Sequence, residues 1–236
     1  MSTFVLVHSP LVGPLTWSLV AEQLRERGAD AVAPSLLGVE RDDDPHWRRH
    51  VAAVASALRD VSLDRPVVLV AHSGAGPLLP AIGQGIGQPV AGYVFVDAGL
   101  PGRDGQSRLE LFDPSDAERF GKAAVAGMIP SSWRDEELLR VIGVEDASLR
   151  QRFIAEVPDV PLSVYEELLP VSPDWPTAPC GYLLFSSPYE TVAHQATVRG
   201  WAFRELPGGH FHMLVNAPAV TETLLDMVGE MGISRR

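Results

Sequence analysis

Residues 66–71, Pro-Val-Val-Leu-Val-Ala, form an unbroken apolar run rich in β-branched side chains, and Ser73, Gly74, Ala75 and Gly76 follow almost at once. A strand without a polar side cannot face water on either face. It belongs in a parallel sheet covered by helices on both sides. The rest of the chain alternates in the same way. Runs at 3–8, 29–34, 90–96, 181–185 and 201–206 read as further strands. Between and after them lie stretches with helical spacing at 17–27, 47–58, 76–86, 191–198 and 219–231. In the first, Trp17, Val20, Ala21 and Leu24 make one stripe and Glu22, Arg25 and Glu26 the other, and Gly28 ends it as a left-handed cap residue. Strands alternating with helices mean βαβ units, so the expected class is α/β: a mostly parallel sheet with helices on both faces.

From 99 to 179 the rhythm changes. No strand run is visible, and Pro and Gly punctuate short helical stretches near 116–126, 134–141, 148–155 and 162–169. This reads as a helical cap inserted after the fourth strand, with 1–98 and 180–236 forming the core. Its aromatic residues Trp133, Phe153, Tyr165 and Trp175 either line a pocket or form the segment's own core. Trp133 and Tyr165 are taken as the pocket candidates.

Bulk composition excludes several partners. A net charge of -11 argues against nucleic acid and against an anionic membrane surface. The acidic run Asp42, Asp43, Asp44 has no histidine pattern beside it and reads as a solvated loop rather than a metal site. Cys180 is the single cysteine, so no internal disulfide can form, and its place at the start of an apolar run suggests a buried structural thiol. No apolar run reaches the roughly 20 residues of a membrane span, and no basic-then-apolar leader is visible. The expectation is a cytoplasmic protein without metal or organic cofactor.

At the end of the strongest strand stands Ala71-His72-Ser73-Gly74-Ala75-Gly76, of the form small-x-Ser-x-small. A nucleophile on a sharp strand-to-helix turn projects into a site while its backbone is strained, and neighbours two residues away must be small. The helix start beside it favours developing negative charge. A serine hydroxyl also needs a base. In such an arrangement the base comes late in the chain, where Gly208-Gly209-His210-Phe211-His212 offers His210 and His212. His210, directly after the glycines, is the preferred base.

With these residues in place the chain resembles the α/β-hydrolase superfamily, in particular its small cap-bearing esterase and hydroxynitrile-lyase-like members. The likeness covers nearly the whole chain. It rests on Phe4-Val5-Leu6-Val7-His8 with Trp17, on Val70-Ala71-His72-Ser73-Gly74, on Val94-Phe95-Val96-Asp97, and on Gly209-His210 with Met213-Leu214. The resemblance implies Ser73 as nucleophile and His210 as base. His212 becomes a neighbour or pocket residue, His72 a structural residue, and His8 an organiser of the loop after the first strand. His46, His50 and His194 read as surface residues.

Two features depart from the family pattern. The stretch where the family usually carries its triad acid reads Ser186-Ser187-Pro188-Tyr189-Glu190, so Tyr189 stands near the expected position and Glu190 is the carboxylate. Asp97, at the end of the preceding strand, is the rival. The loop after the first strand reads His8-Ser9-Pro10-Leu11, so Pro10, which has no N–H, occupies the position of the second oxyanion donor; Gly74 N–H is the first. Three alternatives follow: Leu11 N–H serves, the Ser9 hydroxyl donates, or the reaction does not pass through a fully stabilised tetrahedral oxyanion. Lyase-type relatives carry a hydroxyl residue at the place of Ser9. The resemblance thus implies a serine hydrolase for a carboxylic ester, lactone or related acyl compound, with a small, mostly apolar molecule as partner. A homo-oligomer is compatible with it. The alternative is a cofactor-free lyase or cyclase using the same Ser–His pair for acid–base chemistry.

Overall fold

The computed structural model describes residues 2–38 and 45–233; the acidic run 42–44 lies outside the described residues. The first half of the chain runs β1 (Thr3–Val7), α1 (Leu15–Glu26), β2 (Asp30–Val32), α2 (His46–Ala57), β3 (Val67–His72), α3 (Leu79–Gly85) and β4 (Val90–Val96). Between β4 and the next sheet strand lie β5 (Gln106–Ser107), α4 (Pro114–Ala123), β6 (Met128–Ile129), α5 (Glu136–Val141), α6 (Ala147–Glu156), β7 (Val160–Pro161), α7 (Ser163–Glu166) and β8 (Leu168–Leu169). The chain closes with β9 (Cys180–Leu184), α8 (Glu190–Val198), β10 (Ala202–Glu205), α9 (His212–Val215) and α10 (Ala217–Glu230).

Six strands form one sheet in the order β10-β9-β4-β3-β1-β2, and every neighbouring pair is parallel. The unalternating apolar run of β3 is explained by what covers it. Val68 and Val70 point into a cluster with Trp17, Val20 and Leu24 of α1 and Val220 and Leu224 of α10. Val67, Leu69 and Ala71 point to the other face, against Val54 of α2, Ile82 of α3 and Ala193 of α8. Successive side chains of a strand face opposite ways, so both faces are dry. Gly28 holds φ +78° after α1, the left-handed conformation that glycine adopts at no steric cost. The lone Cys180 is buried, and burial pushes its thiol up to about 12, which keeps it neutral and unreactive.

The structure corrects the sequence reading of 99–179 in one respect. Beside its short helices the segment carries two antiparallel ladders, β5 with β8 and β6 with β7. Two-residue strands are too short to leave a periodic signal. The stretch 162–169, read as helical, divides into the single turn α7 and the strand β8. The segment is tied to the core at several points. Leu139, Val144, Phe153 and Val157 share the α1-side cluster with Phe211, and Glu156 accepts a hydrogen bond from Leu15 N at 2.8 Å.

A second correction concerns histidine. His194 is exposed as expected, but His50 is fully buried, and His46 is half-buried with Nε2 2.9 Å from Ser163 Oγ. The inserted segment packs over the start of α2, which the pattern of α2 alone could not reveal.

Candidate active site

The strand-to-helix turn takes a tighter form than a simple α-helix start. Residues Ser73–Leu78 form a 3-10 turn that leads into α3. Ser73 holds φ +56°, a left-handed conformation costly for a residue with a side chain. Gly99 N donates to Ser73 O at 3.2 Å. A β-carbon on Gly76 would lie 1.9 Å from the Gly99 carbonyl oxygen. The turn therefore needs glycine at 76 so that the backbone leaving β4 can press against it.

Asp97 follows β4 immediately, is fully buried and holds φ +43°. Its Oδ1 accepts from Phe185 N at 2.7 Å and Ser186 N at 3.0 Å, and its Oδ2 accepts from the Ser186 hydroxyl. Oδ2 also lies 3.0 Å from His210 Nδ1. Four converging contacts keep a buried carboxylate in place. Glu190, the other acid considered, opens α8 and is exposed to solvent. The carboxylate brought to His210 is that of Asp97.

His210 lies in the loop after β10, and the reason for its glycines is close approach. A β-carbon on Gly209 would fall 2.5 Å from the carbonyl oxygen of Ile142, in the inserted segment. The imidazole is walled by rings: Tyr189 stacks on it at 5.1 Å and 4°, and Trp133 at 5.7 Å and 27°. His72 lies 4.4 Å away, and its Nε2 donates to the His210 carbonyl at 2.9 Å. Burial, with His210 beside it, holds the His72 imidazole well below its ordinary value, so it is neutral and positions the loop. His212 is half-buried; its ring packs on Phe185 at 5.5 Å, away from the Asp97 hydrogen-bond set.

The Ser73 hydroxyl meets the Tyr189 hydroxyl at 3.3 Å. Tyr189 thus touches both Ser73 and His210. Burial raises its phenol, so the hydroxyl keeps its proton. In the sequence Tyr189 stands near the place where the family usually carries its acid, and nothing local signals these contacts.

The loop after β1 folds into a turn in which Val12 N donates to Ser9 O at 3.1 Å and Leu11 N donates to Ser9 Oγ at 3.3 Å. Pro10, buried in this turn, has no N–H to offer. His8 organises the loop: Leu36 N donates to its Nε2 at 2.9 Å, and its Nδ1 lies 2.8 Å from Ser9 O. Tyr165, from α7, reaches the same place. A β-carbon on Gly74 would lie 2.6 Å from the Tyr165 hydroxyl oxygen and 3.3 Å from Ser9 Oγ.

One residue at the site left no trace in the sequence pattern. Arg108, 1% exposed, donates from Nε to Gly74 O at 3.1 Å and from Nη1 to Val164 O. Its guanidinium lies 5.6 Å from the Tyr165 ring and 3.4 Å from Glu167. It ties the inserted segment to the turn that carries Ser73. Of the other aromatic residues of that segment, Phe153 packs on Phe211, and Trp175 packs on Tyr93, Phe95 and Trp201. They serve the core, whereas Trp133 and Tyr165 border the candidate site.

A parallel sheet with a strained serine after its central strand, and a late histidine paired with a buried aspartate, defines the α/β-hydrolase fold class. The chain belongs to the alpha/beta hydrolase family, which matches it over residues 4–223. Solved structures show the same architecture. An extracellular α/β-hydrolase from a Paenibacillus species, described as structurally and functionally homologous to tobacco salicylic acid binding protein 2, superposes with a TM-score of 0.74 at 21% identity, covering 96% of this chain and 99% of that one. Tomato methylketone synthase I, complexed with β-ketoheptanoate, gives 0.74 at 12% identity over 98% of both chains. A methylesterase from Arabidopsis gives 0.68 at 18% identity over 98% of this chain and 100% of that one. No curated protein sequence matches the chain. Among the described residues, no helix is long and apolar enough to cross a membrane.

Proposed function

We propose that the protein is a serine hydrolase for a carboxylic ester, lactone or related acyl substrate, with Ser73, His210 and Asp97 as its triad. The observation that carries this reading is the 3.0 Å contact of His210 Nδ1 with buried Asp97 Oδ2, beside a serine held at φ +56°. Asp97 fixes the tautomer with the proton on Nδ1, so Nε2 presents its lone pair. On this reading Ser73 Oγ leaves its contact with the Tyr189 hydroxyl and turns to that lone pair when substrate binds. Oγ then attacks the acyl carbon, His210 receives its proton and passes it to the leaving alcohol, and water repeats the sequence to release the acid. Segment 99–179 acts as a cap over the core formed by 1–98 and 180–236. Its Trp133, with Tyr189 of the core, suits an apolar acyl group.

Turnover of short-chain aryl esters tests the proposal. Ser73→Ala is expected to abolish it. Asp97→Asn is expected to lower kcat by about 10⁴, whereas Glu190→Gln stays near wild type. Wild-type turnover in Ser73→Ala, or a loss confined to Glu190→Gln, would contradict the assignment.

A second reading, lyase or cyclase chemistry by the same pair, draws on Pro10, which lacks the usual second N–H. On that reading Ser9 binds the substrate hydroxyl, and turnover of esters is absent while Ser9→Ala abolishes the true reaction.

A further inference from the structure

The absence of an N–H at Pro10 poses a specific problem. Attack by Ser73 converts the acyl carbonyl into an oxyanion, and the N–H of the residue after the nucleophile, Gly74, is the expected first donor. Removing one donor of two costs about 3 kcal/mol of transition-state stabilisation in hydrolases of this kind. Leu11 N–H, the next along the loop, is already donated to Ser9 Oγ.

We propose that the phenol of Tyr165 is the second oxyanion donor, held in place by Ser9 and Arg108. The proposal rests on Ser73 being the nucleophile.

The geometry runs through Gly74. The Tyr165 hydroxyl oxygen stands 2.6 Å from where a β-carbon of Gly74 would be. That point lies about 2.5 Å from Gly74 N by standard bond geometry, so phenol oxygen and amide nitrogen are within about 5 Å of each other. Two donors that each sit 2.7–3.1 Å from one oxygen are at most about 6 Å apart. An oxygen can therefore be shared between them, and glycine at 74 is what lets the phenol come so near. Ser9 Oγ, 3.3 Å from the same point, lies beside the phenol. With Leu11 N–H donated to Ser9 Oγ, the Ser9 proton is free to turn to Tyr165, and the Tyr165 proton to the oxyanion. A backbone donor that Pro10 displaces by one residue thus acts through two hydroxyls, each polarising the next.

The surroundings keep the phenol a donor. Tyr165 is 2% exposed, and burial raises its phenol above the ordinary value, with Arg108 and Ser9 pulling it partly back. Arg108 binds Gly74 O and the Val164 carbonyl while its guanidinium faces the Tyr165 ring, so both donors are braced by one side chain. Tyr189 is the other phenol nearby, but it lies against Ser73 Oγ and His210 and so borders the nucleophile and base.

In the step itself the Oγ–C bond forms and the carbonyl π pair moves onto oxygen. The Oγ proton goes to His210 Nε2, and the oxygen takes hydrogen bonds from Gly74 N–H and Tyr165 Oη–H. Collapse restores the carbonyl and expels the alkoxide, which takes the proton back from His210.

The test compares Tyr165→Phe, Ser9→Ala, the double variant and Tyr189→Phe in ester turnover and in binding of a trifluoromethyl ketone, whose carbonyl carbon is attacked by Ser73 Oγ to give a hemiketal oxyanion. Tyr165→Phe should lose about 10²–10³ in kcat with KM within a few-fold, and should bind the ketone more weakly by a similar factor. Ser9→Ala should lose less, and the double variant no more than Tyr165→Phe alone, because Ser9 acts through Tyr165. Thermal unfolding of each variant separates this from loss of fold, and Ser9→Ala, which removes one buried hydroxyl and leaves the ring of Tyr165 intact, supplies the readout if Tyr165→Phe does not fold. Wild-type kcat in Tyr165→Phe, a loss confined to KM, or the whole loss in Tyr189→Phe would overturn the proposal. A wild-type enzyme that turns over no ester and leaves Ser73 unlabelled by a fluorophosphonate would overturn the hydrolase reading beneath it as well.

Discussion

Ser73 and Asp97 stand just past the ends of neighbouring strands, and both hold a backbone conformation that side chains avoid, φ +56° and +43°. Such strain costs of order 1–3 kcal/mol each and persists where surrounding bonds over-determine it. Here the bonds are Gly99 N to Ser73 O and the three donors on Asp97. The buried histidines carry another residue-scale cost. Burial lowers His8 from 6.5 to about 4, with the Ser9 carbonyl opposing, and holds His50 and His72 well below 6.5. Between pH 6.5 and about 4 the unfolded chain binds a proton at His8 that the folded chain refuses, so stability falls as pH drops through that window. For His8 alone this amounts to on the order of 3 kcal/mol. Urea unfolding at pH 7 and pH 4.5 should show a markedly lower midpoint at the acid pH. In His8→Gln the difference should shrink, and an unchanged difference would mean that His8 is not the neutral tie described.

At the scale of elements, the turn from β3 into α3 shows how much a motif conceals. The small residues Ala71 and Ala75 were legible as a condition for a sharp turn. The tightest contact is at Gly76, against the carbonyl of Gly99. That carbonyl belongs to the exit of β4, so nothing near residue 76 in sequence announces it. A backbone atom at 1.9 Å cannot be moved aside like a side chain. Gly76→Ala is therefore expected to destabilise the fold by about 3 kcal/mol or more. Gly121→Ala in α4, where nothing lies within 4 Å of the added carbon, should be neutral or slightly stabilising. Equal denaturation midpoints for Gly76→Ala and wild type would refute this account of the turn. The same lesson holds for Gly209, whose reason is Ile142 in the inserted segment.

For the whole molecule, what could be read in advance was whatever the chain encodes locally. The apolar run of β3, the helical stripe headed by Trp17 and the small-residue frame around Ser73 each carry their own signal. The choice between Glu190 and Asp97 did not, because it depends on β4 and β9 being neighbours in the sheet. That adjacency brings Asp97 to Phe185 N and Ser186 N, and leaves Glu190 to open an exposed helix. The burial of His50, the brace made by Arg108 and the approach of Tyr165 to Gly74 all require the inserted segment to fold back over the core. Its two-residue ladders leave no period to read. On the proposed function, this assembly makes Ser73 a nucleophile through His210. Peptide mapping by mass spectrometry after exposure to a fluorophosphonate tests it most directly. The expected result is a single covalent adduct on Ser73 in the wild type, lost or slowed by orders of magnitude in His210→Ala; a folded wild-type protein that takes no label, or takes it elsewhere, would contradict it.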